Sequence, residues 1–157
     1  MKYVDTAIVF QEIPDETTLS VNISRCPCHC PGCHSAYLAE DIGEPLDALA
    51  IDGFVKEFGG DITCIALMGG DAEPQEVAEL AAYIRSAYPS LRTAWYSGRQ
   101  QPSEELMDHK YYDYVKVGPY IKAKGPLNSP TTNQRLYRIN ADNSRTDLTS
   151  WFWQRRG

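Results

Sequence analysis

The first third of the chain has apolar and polar positions that predict two β-strands. Residues 4–10 are mostly apolar, and residues 19–23 alternate apolar with polar side chains at a period of two. The turn-forming residues Pro14-Asp15-Glu16 lie between the two runs. The second run leads directly into Arg25-Cys26, so a cysteine-rich segment begins where the second predicted strand ends.

The middle of the chain changes to helical periodicity. Four apolar residues recur at positions i, i+3, i+4 and i+7, which predicts a helix from about Pro45 and Asp47 to Gly59-Gly60. These residues are Ile51, Phe54, Val55 and Phe58. Residues 62–68 are almost continuously apolar, as expected of a parallel strand buried on both faces. A second helix is predicted from Pro74 to Tyr88.

The same alternation continues towards the C-terminus. The patterns predict strands at residues 92–96, 112–117 and 136–139, with a short helix at 103–109 that Ser103 caps. Residues 118–135 are rich in Gly and Pro and show no periodicity. Alternating strands and helices predict an α/β fold with a parallel sheet and right-handed crossovers. Four or five such units are too few to close an eight-stranded barrel, so we expect an open or partial barrel.

Length and charge narrow the class of protein. The chain has 157 residues, 43% of them hydrophobic, which is enough for one domain with its own core, spanning residues 1–157. No stretch of 18 apolar residues predicts a membrane span, and the first residues do not resemble a secretory signal. We therefore expect a cytoplasmic protein. The formal net charge of −6 argues against a general nucleic-acid binder.

The cysteines are concentrated in one segment. Four of the five lie within eight positions, and the fifth, Cys64, falls in the apolar run at 62–68 and is expected to be a buried core thiol. The four clustered residues are Cys26, Cys28, Cys30 and Cys33. In a reducing compartment such a cluster is more typical of metal binding or redox chemistry than of disulfides.

Three kinds of chemistry fit this segment. Cys26, Cys30 and Cys33 have the spacing C-x3-C-x2-C, and three thiolates on a [4Fe–4S] cluster would leave one iron open to a substrate or cofactor. Alternatively, all four thiols would hold a structural zinc ion, although such sites usually join two separated cysteine pairs. A third possibility is thiol–disulfide exchange at Cys30-Pro31-Gly32-Cys33, which gives Cys26 no role.

The segment from Cys26 to His34, Cys-Pro-Cys-His-Cys-Pro-Gly-Cys-His, resembles the cluster loop of the radical S-adenosylmethionine (SAM) superfamily. Its Cys-Pro-Gly-Cys ending is similar to that of the small activating enzymes of anaerobic ribonucleotide reductase. Met68-Gly69-Gly70-Asp71 resembles the Gly-Gly-acid motif of that family. Gly118 and the stretch Ser129-Pro130-Thr131-Thr132-Asn133-Gln134 resemble its C-terminal region. The resemblance covers residues 4–139.

The resemblance implies a fold, cofactors and a reaction. The fold would be the open β/α barrel of radical SAM enzymes, with a cluster loop at 26–33 and a C-terminal loop and tail at 118–157. Cys26, Cys30 and Cys33 would ligate a [4Fe–4S] cluster, and SAM would chelate its open iron. Reductive cleavage of SAM would yield a 5′-deoxyadenosyl radical. Residues expected near the cofactors are Gly32, Cys33, His34, Gly69, Gly70, Asp71, Tyr96, Ser97 and Gly98.

The implied activity is that of a glycyl-radical-enzyme activase. Its partners would be anaerobic ribonucleoside-triphosphate reductase, as the protein substrate, and a low-potential electron donor such as flavodoxin or ferredoxin, with no nucleic acid or membrane. Activation of another glycyl radical enzyme and SAM radical chemistry on a small molecule are alternatives. A non-catalytic zinc module with four cysteine ligands is a third.

Some positions depart from the family pattern or have two interpretations. Cys28 has no counterpart in the family and is expected to be an idle thiol. Either Asp71 or Glu73 could correspond to the acid of the family, and both could instead cap the following helix. The 118–135 loop would meet a partner or cover the site, or else be a linker-like disordered segment. Trp151 and Trp153 are expected to pack against the sheet edge rather than serve as docking residues.

Overall fold

The computed structural model describes residues 1–27 and 40–153 of the chain. These residues form a mixed α/β domain built on one sheet of eight strands. In chain order the strands are β1 (Lys2–Val9), β2 (Thr18–Ile23), β3 (Glu44–Pro45), β4 (Cys64–Met68), β5 (Arg92–Tyr96), β6 (Tyr114–Val117), β7 (Arg135–Ile139) and β8 (Arg145–Asp147). The described α-helices are α1 (Ala48–Phe58) and α2 (Pro74–Ala87), and short 3₁₀ helices span Glu104–Leu106 and Thr149–Trp153.

The sheet has a parallel centre and antiparallel flanks. Its strand order is β3-β1-β2-β4-β5-β6-β7-β8, and β2, β4, β5 and β6 are parallel neighbours. The predicted parallel sheet is confirmed for these four strands. β1 runs antiparallel to β2, and β7 and β8 extend the other side with antiparallel pairing. The carboxyl ends of the four parallel strands therefore lie at one edge of the sheet.

The two predicted α-helices are confirmed, and both pack on the same sheet face. Asp47 caps α1, since its side chain accepts a 3.0 Å hydrogen bond from the backbone N–H of Ala50. Pro74 occupies the first turn of α2, where its missing N–H costs nothing. The helices bury their apolar sides against large aliphatic side chains of the central strands, including Val21, Leu67 and Val115. This burial is the main source of stability for the fold.

The opposite face carries smaller and more polar side chains. In register across β1, β2, β4 and β5 lie Ala7, Ser20, Ala66 and Ala94. The next row towards the carboxyl edge is Asp5, Asn22, Met68, Tyr96 and Lys116. Cys64 also lies on this face, fully buried, which confirms the prediction of a core thiol. The helices thus leave a face on which polar groups lie close to the strand ends.

Two predictions about the C-terminal half are wrong. The helix predicted at 103–109 is a single 3₁₀ turn over Glu104–Leu106, and Ser103 makes no side-chain cap. Asp108 ends it, because its carboxylate accepts the backbone N–H of Lys110 at 2.8 Å and favours a turn. The strand at 136–139 is confirmed but is not the last one. β8 follows it, with three exposed polar residues that show no apolar alternation.

Candidate functional site

The residues that follow the four central strands meet at the carboxyl edge of the sheet. Backbone hydrogen bonds continue across this edge beyond the strands. The backbone N–H of Gly69 donates to the backbone carbonyl of Tyr96 at 2.9 Å. In the same way the N–H of Ser97 donates to the carbonyl of Lys116 at 2.8 Å, and the N–H of Gly118 to the carbonyl of Arg99 at 2.7 Å. The edge is therefore a connected surface, in the position where α/β folds commonly bind ligands.

Cys26 lies at this edge, separated from the end of β2 by Ser24 and Arg25. Its thiol is free and partly exposed. Arg25 adopts the left-handed backbone conformation, with φ of 61°, and its N–H donates to the carbonyl of Glu40 at 3.0 Å. That bond brings the two ends of the intervening segment together. The Arg25 guanidinium also donates to Glu73 at the start of α2, over 2.9 Å.

The remaining residues predicted from the cysteine segment lie outside the described residues. They are the predicted cluster ligands Cys30 and Cys33, the predicted cofactor contacts Gly32 and His34, and the extra thiol Cys28. Within 1–27 and 40–153, no three His, Cys, Asp or Glu side chains are arranged to hold a metal ion. A complete ligand set at Cys26 therefore stays a prediction.

Gly69 and Gly70 form a turn that no other residue type could form without strain. Their φ angles are 105° and 81°. A Cβ at position 70 would lie 2.3 Å from the Cγ2 atom of Val77, which is buried in α2. The Gly69 carbonyl accepts the indole N–H of Trp95 at 2.8 Å, and the Gly70 carbonyl accepts the N–H of Glu73 at 2.9 Å. Each carbonyl oxygen has a second lone pair for a further donor.

Asp71 holds this turn against the one that follows β5. Its carboxylate is buried and accepts the hydroxyl of Ser97 at 2.6 Å and the backbone N–H of Gly98 at 2.8 Å. The Arg99 guanidinium donates to the Asp71 carbonyl at 3.3 Å. Three predicted site residues, Asp71, Ser97 and Gly98, are thus brought together. Asp71 acts between strands and does not cap α2.

Glu73 is the other candidate for the acidic position, and it faces Arg25. It is the N-cap residue of α2, although its side chain makes no capping hydrogen bond. A hydrogen bond with Glu76 lowers the pKa of Glu73 below its ordinary value. The positive charges of the N-terminal ammonium group and of Arg25 lower it further. The two acids therefore have different environments: Asp71 joins strand ends, and Glu73 joins α2 to the residue before Cys26.

Tyr96 lies on the sheet face away from the helices, beside Lys116. Its hydroxyl donates to the backbone carbonyl of Glu12, and burial raises the pKa of Tyr96 well above its ordinary value. The Tyr96 side chain thus remains a neutral phenol. The ammonium group of Lys116 lies 5.7 Å from the Tyr96 ring centre and donates to the carbonyls of Ser97 and Gly118, at 3.1 and 3.0 Å.

Lys116 is a site residue that the sequence analysis missed. The signal for it was a lysine between Val115 and Val117 in a strand that ends at Gly118. A charged residue on the inner face of such a strand needs polar partners, and the strand ends of β5 and β6 provide them. Lys116 places a positive charge at the ends of β5 and β6, in addition to the guanidinium of Arg99 beside Asp71.

Residues near the end of the 118–135 segment contact the same edge. The side-chain amide of Asn133 donates to Oε1 of Gln100 and to the backbone carbonyl of Pro119, both at 3.0 Å. The side-chain amide of Gln134 donates to the backbone carbonyl of Gly118 at 3.4 Å. These bonds tie the segment back to the end of β6. Its predicted role in covering the site or meeting a partner stays a prediction.

The aromatic tail packs on the 118–135 segment and beside the start of β7. The indole N–H of Trp153 donates to the carbonyl of Leu127 at 3.2 Å, and the Arg135 guanidinium lies 5.8 Å from the Trp153 ring centre. Trp151 packs edge-on against Phe152, with ring centres 5.0 Å apart.

No helix in the described ranges is both long and apolar enough to cross a membrane. No model of a known protein family matches the chain, and comparisons with curated proteins and with solved structures found no significant match.

Proposed function

We propose that the chain is a radical SAM activase that generates a glycyl radical on anaerobic ribonucleoside-triphosphate reductase. One observation carries the proposal: Cys26, the Gly69-Gly70 turn and the Ser97-Gly98 turn follow neighbouring parallel strands at one sheet edge. The resemblance to the family rests partly on the cysteine segment and the Gly69-Gly70 turn. It also implies cofactor contacts at the Ser97-Gly98 turn. The open β/α barrel of that family is part of the proposal.

The donor chemistry at this edge fits an iron–sulfur cluster. Cys26 offers a free, partly exposed thiol, and with Cys30 and Cys33 it would supply three thiolates. Cys64 is a poor ligand, because it is fully buried among core side chains and burial raises the pKa of its thiol far above the usual range. The metal ligands proposed are therefore Cys26, Cys30 and Cys33, without Cys64.

The Gly69-Gly70 turn fits the approach of a polar ligand. The turn has no side chains, Gly69 is partly exposed, and the carbonyls of Gly69 and Gly70 each have a second lone pair that can accept an N–H group. These carbonyls would take the amino group of SAM. When bound, the iron–sulfur cluster would supply the electron for the reductive cleavage of SAM, a reaction that the protein side chains cannot perform.

The other residues of the edge would position and shield the cofactor. Asp71 fixes the Ser97-Gly98 turn, so in this proposal it acts as a positioning residue rather than a ligand. Tyr96 presents a neutral ring on the face next to the edge, and Lys116 provides positive charge suited to a carboxylate of the cofactor. Gly32 and His34, beside the last cysteine, retain their proposed place near the cofactor.

Protein prepared without oxygen provides the test. Iron and sulfide analysis is expected to give about four irons per chain, with an electron paramagnetic resonance signal that changes when SAM is added. With the reductase and a reductant present, a glycyl radical signal is expected on the reductase. A radical signal with a different glycyl radical enzyme, or turnover of a small molecule alone, would favour those alternatives. Zinc without iron–sulfur signals after reconstitution would replace the proposal with the four-cysteine zinc module.

Single cysteine substitutions separate ligands from other thiols. Cys26→Ala, Cys30→Ala and Cys33→Ala are each expected to abolish SAM cleavage. Cys28→Ala is the matched control from the same segment and is expected to keep most of it. Loss of the cluster in Cys28→Ala would contradict the assignment of three ligands.

A further inference from the structure

A cleft lies at the opposite edge of the sheet, where the parallel strands begin. It has a volume of about 410 Å³ and is lined by the end of α2, the turn into β5 and the residues before β6, including Arg85, Arg92, His109 and Asp113. A second cleft of about 180 Å³ shares Arg92, His109 and Asp113 and extends to Arg138. Together they form one groove, here called the amino-edge cleft, with a volume in the range of small-molecule sites.

The amino-edge cleft is positively charged in an acidic protein. Three arginines, Arg85, Arg92 and Arg138, line it, and two carboxylates lie beside them, one of which is Asp113 in the cleft wall. The other is Glu16, which pairs with the Nε atom of Arg92 at 3.2 Å. One positive charge is left over, before any contribution from the His109 imidazole, whereas the whole chain has a net charge of −6.

The neighbouring groups hold these guanidiniums in place. Asp113 accepts Nη1 of Arg85 at 2.6 Å and the backbone N–H of Thr93 at 2.9 Å through the same oxygen. The guanidinium of Arg138 lies 5.9 Å from the Tyr114 ring centre. A guanidinium has five N–H donors, so these contacts leave donors on Arg85 and Arg92 for a ligand in the cleft. Positioned arginines favour anion binding because little side-chain entropy is then lost.

We infer that the amino-edge cleft binds a phosphate group, either as free phosphate or as part of a nucleotide. Arginine pairs are suited to the tetrahedral, multiply charged oxygens of phosphate, which accept two parallel N–H donors from one guanidinium. The cleft is distinct from the carboxyl edge: Arg92 opens β5 and Tyr96 closes it, about 13 Å apart at the rise of an extended strand. The inference does not depend on the proposed function.

Nuclear magnetic resonance of the ¹⁵N-labelled full chain provides the test, with inorganic phosphate and adenosine 5′-monophosphate as separate probes. Saturable shifts are expected at the amides of residues 90–93 and 109–113, beyond those caused by sodium chloride at equal ionic strength. Tighter binding of the nucleotide would identify a nucleotide phosphate as the ligand, and equal binding would identify phosphate alone. Shifts that sodium chloride reproduces, or no saturation with either probe, would overturn the inference.

Two variants localise the binding. Arg92→Gln and Arg138→Gln are each expected to weaken phosphate binding about tenfold, the effect of losing one charged hydrogen bond. Arg145→Gln is the matched control, since Arg145 also pairs with a carboxylate, that of Glu104, and lies outside the cleft. Thermal unfolding of each variant checks the fold. Unchanged phosphate binding in both folded cleft variants, or equal weakening in Arg145→Gln, would overturn the assignment.

Discussion

The two edges of the parallel strands are built in different ways. At the carboxyl edge, Gly69, Gly70 and Gly118 have φ angles between 81° and 108°, and the buried carboxylate of Asp71 joins two strand ends. At the amino edge, ion pairs such as Arg85–Asp113 and Arg92–Glu16 hold neighbouring elements together. One edge thus depends on rare backbone conformations and a buried acceptor, and the other on arginines paired with largely buried carboxylates.

This difference determines what each edge can tolerate. A left-handed turn packed against a helix admits almost no residue except glycine, and a buried donor that loses its acceptor keeps the full cost of desolvation. The guanidiniums of Arg92 and Arg138 are exposed, so water and salt screen their interactions. We therefore expect substitutions at the carboxyl edge to cost stability, and substitutions of these two arginines to change binding more than stability.

The largest expected effect is that of Asp71→Ala. It would leave the Ser97 hydroxyl and the Gly98 N–H without their acceptor, and we expect the free energy of unfolding to fall by about 3–4 kcal/mol. Chemical denaturation measures this change. Asp71→Asn keeps the shape and one acceptor oxygen, so it should cost less. A loss below about 1 kcal/mol in Asp71→Ala would show that the edge does not depend on this carboxylate.

Gly70→Ala is expected to have the next largest effect. The new methyl group would meet Val77 at 2.3 Å in a left-handed turn, and we expect a loss of about 2–3 kcal/mol. Gly53→Ala in α1 is the matched control: it has open space around it and should gain about 0.5–1 kcal/mol from helix propensity. Equal effects of the two substitutions in denaturation experiments would contradict the role assigned to the Gly69-Gly70 turn.

The same contrast explains what could be predicted from the sequence. Rare backbone conformations need particular residue types, so Gly69-Gly70 and Gly118 indicated the ends of β4 and β6 in advance. The helices could be predicted because apolar residues such as Ile51 and Phe54 recur at helical spacing and Asp47 provides a cap. Burial from Cys64 to Leu67 likewise matched the continuous apolar run.

The features that escaped prediction depend on residues far apart in the chain. Arg85, Arg92 and Asp113 form no local motif, and only the packing of α2 beside β5 and β6 brings them together. Lys116 acquires partners at two strand ends in the same way. β8 has exposed polar residues throughout, so its pairing with β7 leaves no apolar pattern. The sequence could not distinguish Asp71 from Glu73 either, since only the fold buries one of them beside Ser97.

Arg25→Gln tests whether the exposed part of the carboxyl edge behaves like the amino edge. The Arg25–Glu73 pair is partly exposed, so we expect the free energy of unfolding to fall by less than about 1 kcal/mol. If the chain has the proposed SAM-cleaving activity, substituting Arg25, which precedes the proposed ligand Cys26, should lower its rate roughly tenfold, as for residues that orient metal ligands. Both quantities are measured on protein loaded with cluster.

A double-mutant cycle gives the control for Arg25. Glu73→Gln is expected to lower SAM cleavage by a similar factor, and the double variant should be no slower than either single variant, because both remove one interaction. Arg145→Gln breaks another exposed ion pair and should leave the rate unchanged. Multiplicative losses in the double variant would show that the two residues act separately, contrary to a shared positioning role.

The smallest expected effect on stability is that of Arg138→Gln at the amino edge. Arg138 is exposed and contacts the Tyr114 ring from 5.9 Å, which contributes about 0.5 kcal/mol at such a site. Denaturation should therefore show almost no change, while phosphate binding in the amino-edge cleft weakens. A loss of 2 kcal/mol or more would mean that the amino edge is as strictly specified as the carboxyl edge. The comparison between the two edges would then fail, because an exposed arginine would contribute more to the free energy of unfolding than exposed charged side chains ordinarily do.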